Sequence, residues 1–554
     1  MSALLVAVLG FGAFGLAYRF YGGFLSRKLL GVDPGRRTPA HELRDGVDFV
    51  PTRRAVLFGH HFTSIAGVGP IAGPAIAVIW GWVPALLWVV LGSMFAGGVH
   101  DLGALVVSAR HDARSVGDVA RDVISPTART LFLLVILFMV LVVLAVFCLV
   151  IGLLFTMYPA SVLPIWLEVP LAIWIGYMIY ERRGRLELWS LIALGIMYFT
   201  IFLGTLFPLH MPPLLGSELT TWIVVLMIYC YIASTLPVHR LLQPRDYINA
   251  HELFVAMVLM VLGLLALHPK VVAPAFNLHP EGAPPILPFL FVIVACGAIS
   301  GFHSLVASGT SSKQLDREQD AQAIGYGSML AEGTLAVLVI LACVAGIGSS
   351  EAWSQHYASW ATAKGLGAKL RAFVEGGANF LGALGIPHEF GAALLAVVVV
   401  SFAATTLDTA TRIQRYVVTE LATAYRVPLL SKRHPATLLA VGSALVLALA
   451  KGGGRGGMVL WPLFGTSNQL LAGLTLLVVS VYLFRKAEPV WYTLLPMLFV
   501  MAMTGWATVH KFGDFISQGQ FGLAFIGGAV LVLEVGIVVE AVRTFSRGRP
   551  EGVI

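Results

Sequence analysis

Apolar stretches of 16–28 residues recur from one end of the chain to the other, and they decide the solvent in which it can fold. Crossing about 30 Å of hydrocarbon at 1.5 Å per residue takes roughly 20 residues. The stretches lie at 3–24, 55–79, 84–108, 131–156, 162–180, 187–208, 219–240, 247–267, 286–309, 321–348, 389–415, 435–450, 458–484, 490–510 and 520–543. With 58% hydrophobic against 12% charged residues, no water-soluble core absorbs them all. The sequence predicts an all-α polytopic membrane protein of about fifteen transmembrane helices.

No Lys or Arg precedes the first stretch, whereas Arg27, Lys28, Arg36 and Arg37 follow it, which predicts a retained helix with its N-terminus outside. If the spans alternate, only Lys270, Lys364, Lys369, Arg371, Lys451, Arg455 and Lys511 of the 36 basic residues fall on the outer side. That split obeys the positive-inside rule and predicts a cytoplasmic C-terminus. It also accounts for the net charge of +7 without a nucleic-acid partner, since no basic stripe lies outside the juxtamembrane loops. Cys148, Cys230, Cys296 and Cys343 fall inside apolar spans with no CxxC spacing and read as packing residues. No GxxxxGK[ST] motif occurs, so the chain carries no recognisable nucleotide-hydrolysing loop.

Three spans depart from the Leu- and Val-rich norm. The span 55–79 contains FGHHFTSIAGVGPIAGPAIA, 219–240 runs into YCYIASTLPVHRLLQPRDY, and 286–309 becomes CGAISGFHSLVASGTSSKQ. Proline removes a backbone donor and glycine weakens helix, so these segments are expected to unwind, and unwound backbone at membrane depth must line a site or be buried in protein. Small residues also serve close helix packing, which is the alternative reading. Four continuous spans separate 55–79 from 219–240, and the two run in opposite directions. That spacing predicts two inverted five-helix repeats in a LeuT-like core. The expected division is an N-terminal helix and connector (1–54), a first repeat (55–208), a second repeat (219–425) with an extracellular insertion at 349–388, and additional helices (426–554).

Phe62, Thr63, Ser64, Gly67, Gly69, Pro70 and Gly73 form the first break, where free amides and the positive end of a helix dipole suit a carboxylate. Ser234 and Thr235 at the second break and His303 on the third unusual span are the expected partners around the substrate. His60 and His61 either carry a coupling proton or cap the broken helix. His100 and Asp101 are intramembrane ionisable residues, read either as a proton relay or as an internal salt bridge. Ser308, Thr310 and Ser311 either coordinate a small cation or belong to a polar helix end. Glu332 stands as an isolated acid, and Asp408 is expected to pair with Arg412 four residues on. No metal set with HExxH spacing is present, and no cofactor is expected beyond a coupling proton, with sodium the other candidate ion.

The strings GHHFTSIAGVGPIAGPAIA, GWVPALLWVVLGSMFAGGVHDLGALVVSARHDARSVGDVA and SGFHSLVASGTSSKQ, in that order across 50–345, resemble the carbon starvation protein A family of bacterial membrane proteins. The resemblance implies a cytoplasmic-membrane transporter of peptides or pyruvate, coupled to protons. The expected function is therefore secondary transport of a small carboxylate or short peptide rather than catalysis. A membrane-embedded metal-binding enzyme and a metabolite sensor are the rival classes, and the sequence leaves the substrate and oligomeric state open.

Overall fold

The apolar stretches become helices in the computed structural model, which describes residues 1–182, 184–450, 452 and 456–546. Lys451 and Arg455, assigned above to the outer side, lie outside the described residues. Among those described, twelve helices are long and apolar enough to cross a membrane, or thirteen if the bent pair 54–65 and 69–80 counts as one span.

Short helices such as Val116–Val123 aside, the helices in chain order are α1 (Ala3–Leu29), α2 (Arg54–Ile65), α3 (Gly69–Trp80), α4 (Trp82–Ala109), α5 (Pro126–Met157), α6 (Pro159–Ile179), α7 (Glu187–Leu206), α8 (Glu218–Thr235) and α9 (Leu242–Leu267). They continue as α10 (Ile286–Ile293), α11 (Gly301–Val306, prolonged by a wide π-type turn to Ser311), α12 (Glu318–Gly346), α13 (Leu366–Gly382), α14 (His388–Ala424), α15 (Arg433–Leu449), α16 (Val459–Arg485), α17 (Trp491–Ser517) and α18 (Phe521–Ser546). The only β pairings among the described residues are two isolated bridges, Ser2 with Lys270 and Thr52 with Leu315.

Burial sorts these helices by role. α5, α12, α14 and α16 are mostly buried and form the centre, whereas α1, α7, α17 and α18 present about two thirds of their apolar stretch outward, where lipid serves as solvent. α5 packs along α14, and α4 along α12. The segment 349–388, read above as an insertion, holds two short helices and α13, whose inner face, including Phe373, Phe380 and Leu381, is buried against α3, α9 and α14.

The first expected break is present: α2 ends at Ile65, residues 66–68 turn, and α3 leaves at 48° to α2. The second lies elsewhere. α8 is continuous to Thr235, and Pro237 stands in the connection to α9, where the N–H of Val238 donates to the Val47 carbonyl at 3.1 Å. Pro244 sits in the first turn of α9, where a missing N–H costs nothing, so the two prolines end one helix and start the next rather than breaking either. The interruption that meets the first break is 294–300, between α10 and α11. A Cβ placed on Gly73 would come within 2.6 Å of the Ile293 carbonyl oxygen, and one on Gly69 would collide with the Cys296 side chain. Glycine is required at both positions because one broken segment rests on the other.

Candidate functional site

The first break carries its own polar satisfaction. The Thr406 hydroxyl donates to the Ser64 carbonyl at 3.1 Å, Ser64 Oγ lies 3.1 Å from Thr409 Oγ1, and Thr63 donates back to the Gly59 carbonyl at 2.8 Å. The carbonyl left open where α2 stops is thereby capped by α14. Among the described residues, no acceptor is recorded for the N–H groups of Gly67, Val68 and Gly69, at the turn where α3 begins. Pro70 and Gly73 pack this start of α3 against 293–297. Phe62 points away, its ring 5.3 Å from that of Phe254 in an aromatic cluster.

The second break is held by Asn468 of α16. Its Oδ1 accepts from the Phe302 N–H at 2.9 Å and lies 3.2 Å from Ser300 Oγ, and its Nδ2 reaches Cys296 Sγ at 3.3 Å. Asn468 therefore caps α11 as an N-terminal side chain would, although it comes from a distant helix.

Beneath the breaks runs a chain of buried ionisable groups. Asp101 on α4 is bonded to His100 Nδ1 at 2.6 Å and to His303 Nδ1 at 3.0 Å. The other ring nitrogen of His303 lies 3.2 Å from Glu332 on α12, an ion-pair distance without hydrogen-bond alignment. His61 Nδ1 meets Ser311 Oγ at 2.8 Å, while its neighbour His60 bonds Asp246 on α9 at 2.6 Å. Arg245, next to Asp246, donates to Asp408 on α14, to the Tyr229 hydroxyl at 2.6 Å and to Thr405 at 3.2 Å, with Glu168 of α6 at 3.9 Å from its Nε. Every ionisable member of this chain is at most 2% exposed. It holds five carboxylates, four imidazoles and one guanidinium, so with neutral imidazoles and ionised acids it lacks four positive charges. Uncompensated buried charge is expensive.

Of the residues singled out from the sequence, the structure brings together His60, His61, His100, Asp101, His303 and Ser311, and places Gly67, Gly69, Pro70 and Gly73 at the facing breaks. Ser308 and Thr310 return their hydroxyls to their own helix, to the carbonyls of Ser304 at 2.6 Å and Val306 at 3.0 Å. Ser234 and Thr235 do the same at the end of α8, to the carbonyls of Tyr231 and Ile232, and neither reaches the first break. The expected Asp408–Arg412 pair does not form. Asp408 turns to Arg245, and Arg412 bonds Asp48 in the connection between α1 and α2 at 2.6 Å and the Leu236 carbonyl after α8 at 2.5 Å. Glu168, Arg245 and Asp246 were not singled out. The rule applied to Asp101, an isolated charge inside an apolar span, also identifies Glu168.

At one end of the bundle, burial raises the Asp48 carboxyl, but Arg412, Arg415 and Lys313 hold it well below the usual carboxylate range. Beside it, Arg110 binds Glu318 at 2.6 Å and the carbonyls of Leu30 and Gly31. On the other side, the Tyr357 hydroxyl donates to the Ala75 carbonyl at 2.6 Å and Trp360 lies against Trp80. No member of the ionisable chain lines either of two large clefts of about 770 and 960 Å³.

Comparison with known proteins gives this geometry its context. The family model described as carbon starvation protein CstA matches residues 2–364 and 351–507. The chain is 35% identical to the peptide transporter CstA of Campylobacter jejuni over 92% of its length and 80% of the relative's. It is 31% identical to the pyruvate/proton symporter BtsT of Escherichia coli, covering 92% and 81%, and 30% identical to the peptide transporter CstA of Bacillus subtilis, covering 99% and 98%. Its fold is shared with a manganese transporter of Eremococcus coleocola, at a TM-score of 0.51 and 13% identity over 91% of this chain and 99% of that one. With the family model spanning most of the sequence and relatives matched along most of their length, the chain belongs to the carbon starvation protein CstA family of multi-pass membrane transporters.

Proposed function

We propose that the chain is a proton-coupled importer of a small carboxylate such as pyruvate, or of short peptides, in the bacterial inner membrane, with its N-terminus outside and C-terminus in the cytoplasm. The relatives named above as a pyruvate/proton symporter and as peptide transporters support both substrate classes. One observation carries the reading: two broken helices rest on each other, and the same helices carry His61 and His303 of a buried ionisable set that is short of positive charge. The amides of Gly67, Val68 and Gly69 at the start of α3 receive the carboxylate, and the Glu332–His303–Asp101–His100 chain holds the coupling proton.

The repeat boundaries follow the breaks. The first repeat comprises α2–α3, α4, α5, α8 and α9, interrupted by the α6–α7 hairpin. The second comprises α10–α11, α12, α14, α15 and α16. Its support is pairwise: α5 packs on α15 as α8 packs on α14, and α9 packs on α2 as α16 packs on α11. Counting each broken helix as one span then gives fifteen, with α15 among them.

The test is uptake into proteoliposomes. One pH unit supplies about 1.4 kcal/mol per proton and 100 mV about 2.3 kcal/mol per net charge moved. A pyruvate anion with one proton responds to the pH gradient alone, and a zwitterionic dipeptide with one proton responds to both. Uptake of neither pyruvate nor dialanine under an imposed pH gradient would refute the assignment.

A further inference from the structure

The α6–α7 hairpin lies outside the proposed repeats, and where it meets α9 a second cluster of buried polar groups forms, outside the Glu332–His303–Asp101–His100 chain. Arg245, Asn249 and Glu252 stand at i, i+4 and i+7 on one face of α9. Glu252 is 1% exposed, and neither of its carboxylate oxygens has a hydrogen-bond partner. Asn249 Oδ1 and the Tyr198 hydroxyl on α7 are likewise buried and unpartnered, while Asn249 Nδ2 donates to Thr405 at 3.3 Å. Glu168 on α6 is 2% exposed and stands between the two sets, beside Glu252 and Asn249 and 3.9 Å from Arg245 Nε.

The groups around Glu252 supply no counter-charge. α6 brings only Glu168 and α7 only Tyr198. The charge of Arg245 is already taken by Asp408 of α14 and by Asp246, which holds His60 of α2. On α13, Lys369 lies over Trp461 and Glu375 pairs with His356; on α12, Glu332 faces His303; on α1, Arg19 lies over Phe20. A carboxylate sealed among such neighbours costs several kcal/mol unless a proton neutralises it.

We propose that Glu252 is a second proton-binding site, sharing its proton with Glu168 and connected through Glu168 to the Arg245–Asp408 network. The proton leaves the Glu252 carboxyl for the Glu168 carboxylate, so that Glu252 becomes the anion and Glu168 the acid. In a carrier working as proposed above, on which this inference rests, the hairpin thus adds one proton to the transport cycle.

Infrared titration of the purified full-length protein tests the site without transport. The wild type is expected to show protonated-carboxyl absorption near neutral pH that shifts in deuterium oxide, one component of which is lost in Glu252→Gln and persists in Glu252→Asp. An unchanged band in Glu252→Gln, or loss of the wild-type band on adding sodium at constant pH, would overturn the assignment. In proteoliposomes, the proton-to-pyruvate or proton-to-dialanine ratio is expected to fall by one in Glu252→Gln, and an unchanged ratio would also overturn it. If the wild type moves neither compound, the transport reading fails and the infrared result still decides Glu252.

Discussion

Replacing Arg245 with methionine is the sharpest test of the buried network, because one guanidinium there serves three acids. Arg245 is 2% exposed and faces Asp408, Asp246 and Glu168, with no second Lys or Arg recorded against them among the described residues. Removing it strands charge rather than deleting one contact, which costs about 3–5 kcal/mol. Asp408→Asn is milder, about 1–3 kcal/mol, since Asp246 still faces the guanidinium. Combining the two removes the cation together with one of the acids it neutralised, so the double variant is expected to be more stable than the sum of the singles by about 2–3 kcal/mol. Unfolding in graded detergent can be followed with a maleimide dye, because Cys148, Cys230 and Cys343 are free, buried thiols that label only as the bundle opens. Additivity within about 0.5 kcal/mol would show that Arg245 and Asp408 do not depend on each other, and the network described here would be wrong.

Asp48→Asn should destabilise the protein by about 2–4 kcal/mol, because it leaves the buried Arg412 without its carboxylate. As the folded Asp48 carboxyl lies below its unfolded value, that contribution is complete above about pH 5 and is lost in stronger acid, so melting curves of wild type and variant should run parallel from about pH 5 to 8 and converge below. Gly73→Ala drives a methyl group into the Ile293 carbonyl and should cost about 1–3 kcal/mol and abolish uptake, whereas Gly442→Ala, where a Cβ meets nothing within 4 Å, should do neither. His303→Gln should abolish uptake driven by a pH gradient yet leave substrate exchange at equal pH, as radiolabelled counterflow would measure; loss of both would assign His303 to substrate binding instead.

Element type and the first break were legible from local chemistry, since the glycines and prolines of 66–74 break a helix whatever surrounds them. The second break was misplaced because proline marks both breaks and boundaries. Pro237 and Pro244 bracket a connection between two helices, while the true interruption at 294–300 is signalled only by Gly297 and small residues. His60, His61, His100 and Asp101 were readable because charge in an apolar run is costly wherever it stands. Arg245 and Asp246 were hidden because they follow two prolines and resemble a juxtamembrane loop, and only the packing of α9 along α2 draws them inward. The partner of Asp408 was unreadable for a similar reason: Arg412 is four residues away in sequence, but the connector offers it Asp48.

The adjacency of His60 and His61 gives α2 a mechanical role. Consecutive residues on a helix point about 100° apart, so one imidazole is committed to α9 through Asp246 and the other to the segment after α11 through Ser311. Any roll of α2 about its axis, as a half-helix swings to open one end, must strain both attachments in the same movement. The two halves of the molecule are thus geared through a single short rod, and neither histidine can let go without the other being pulled.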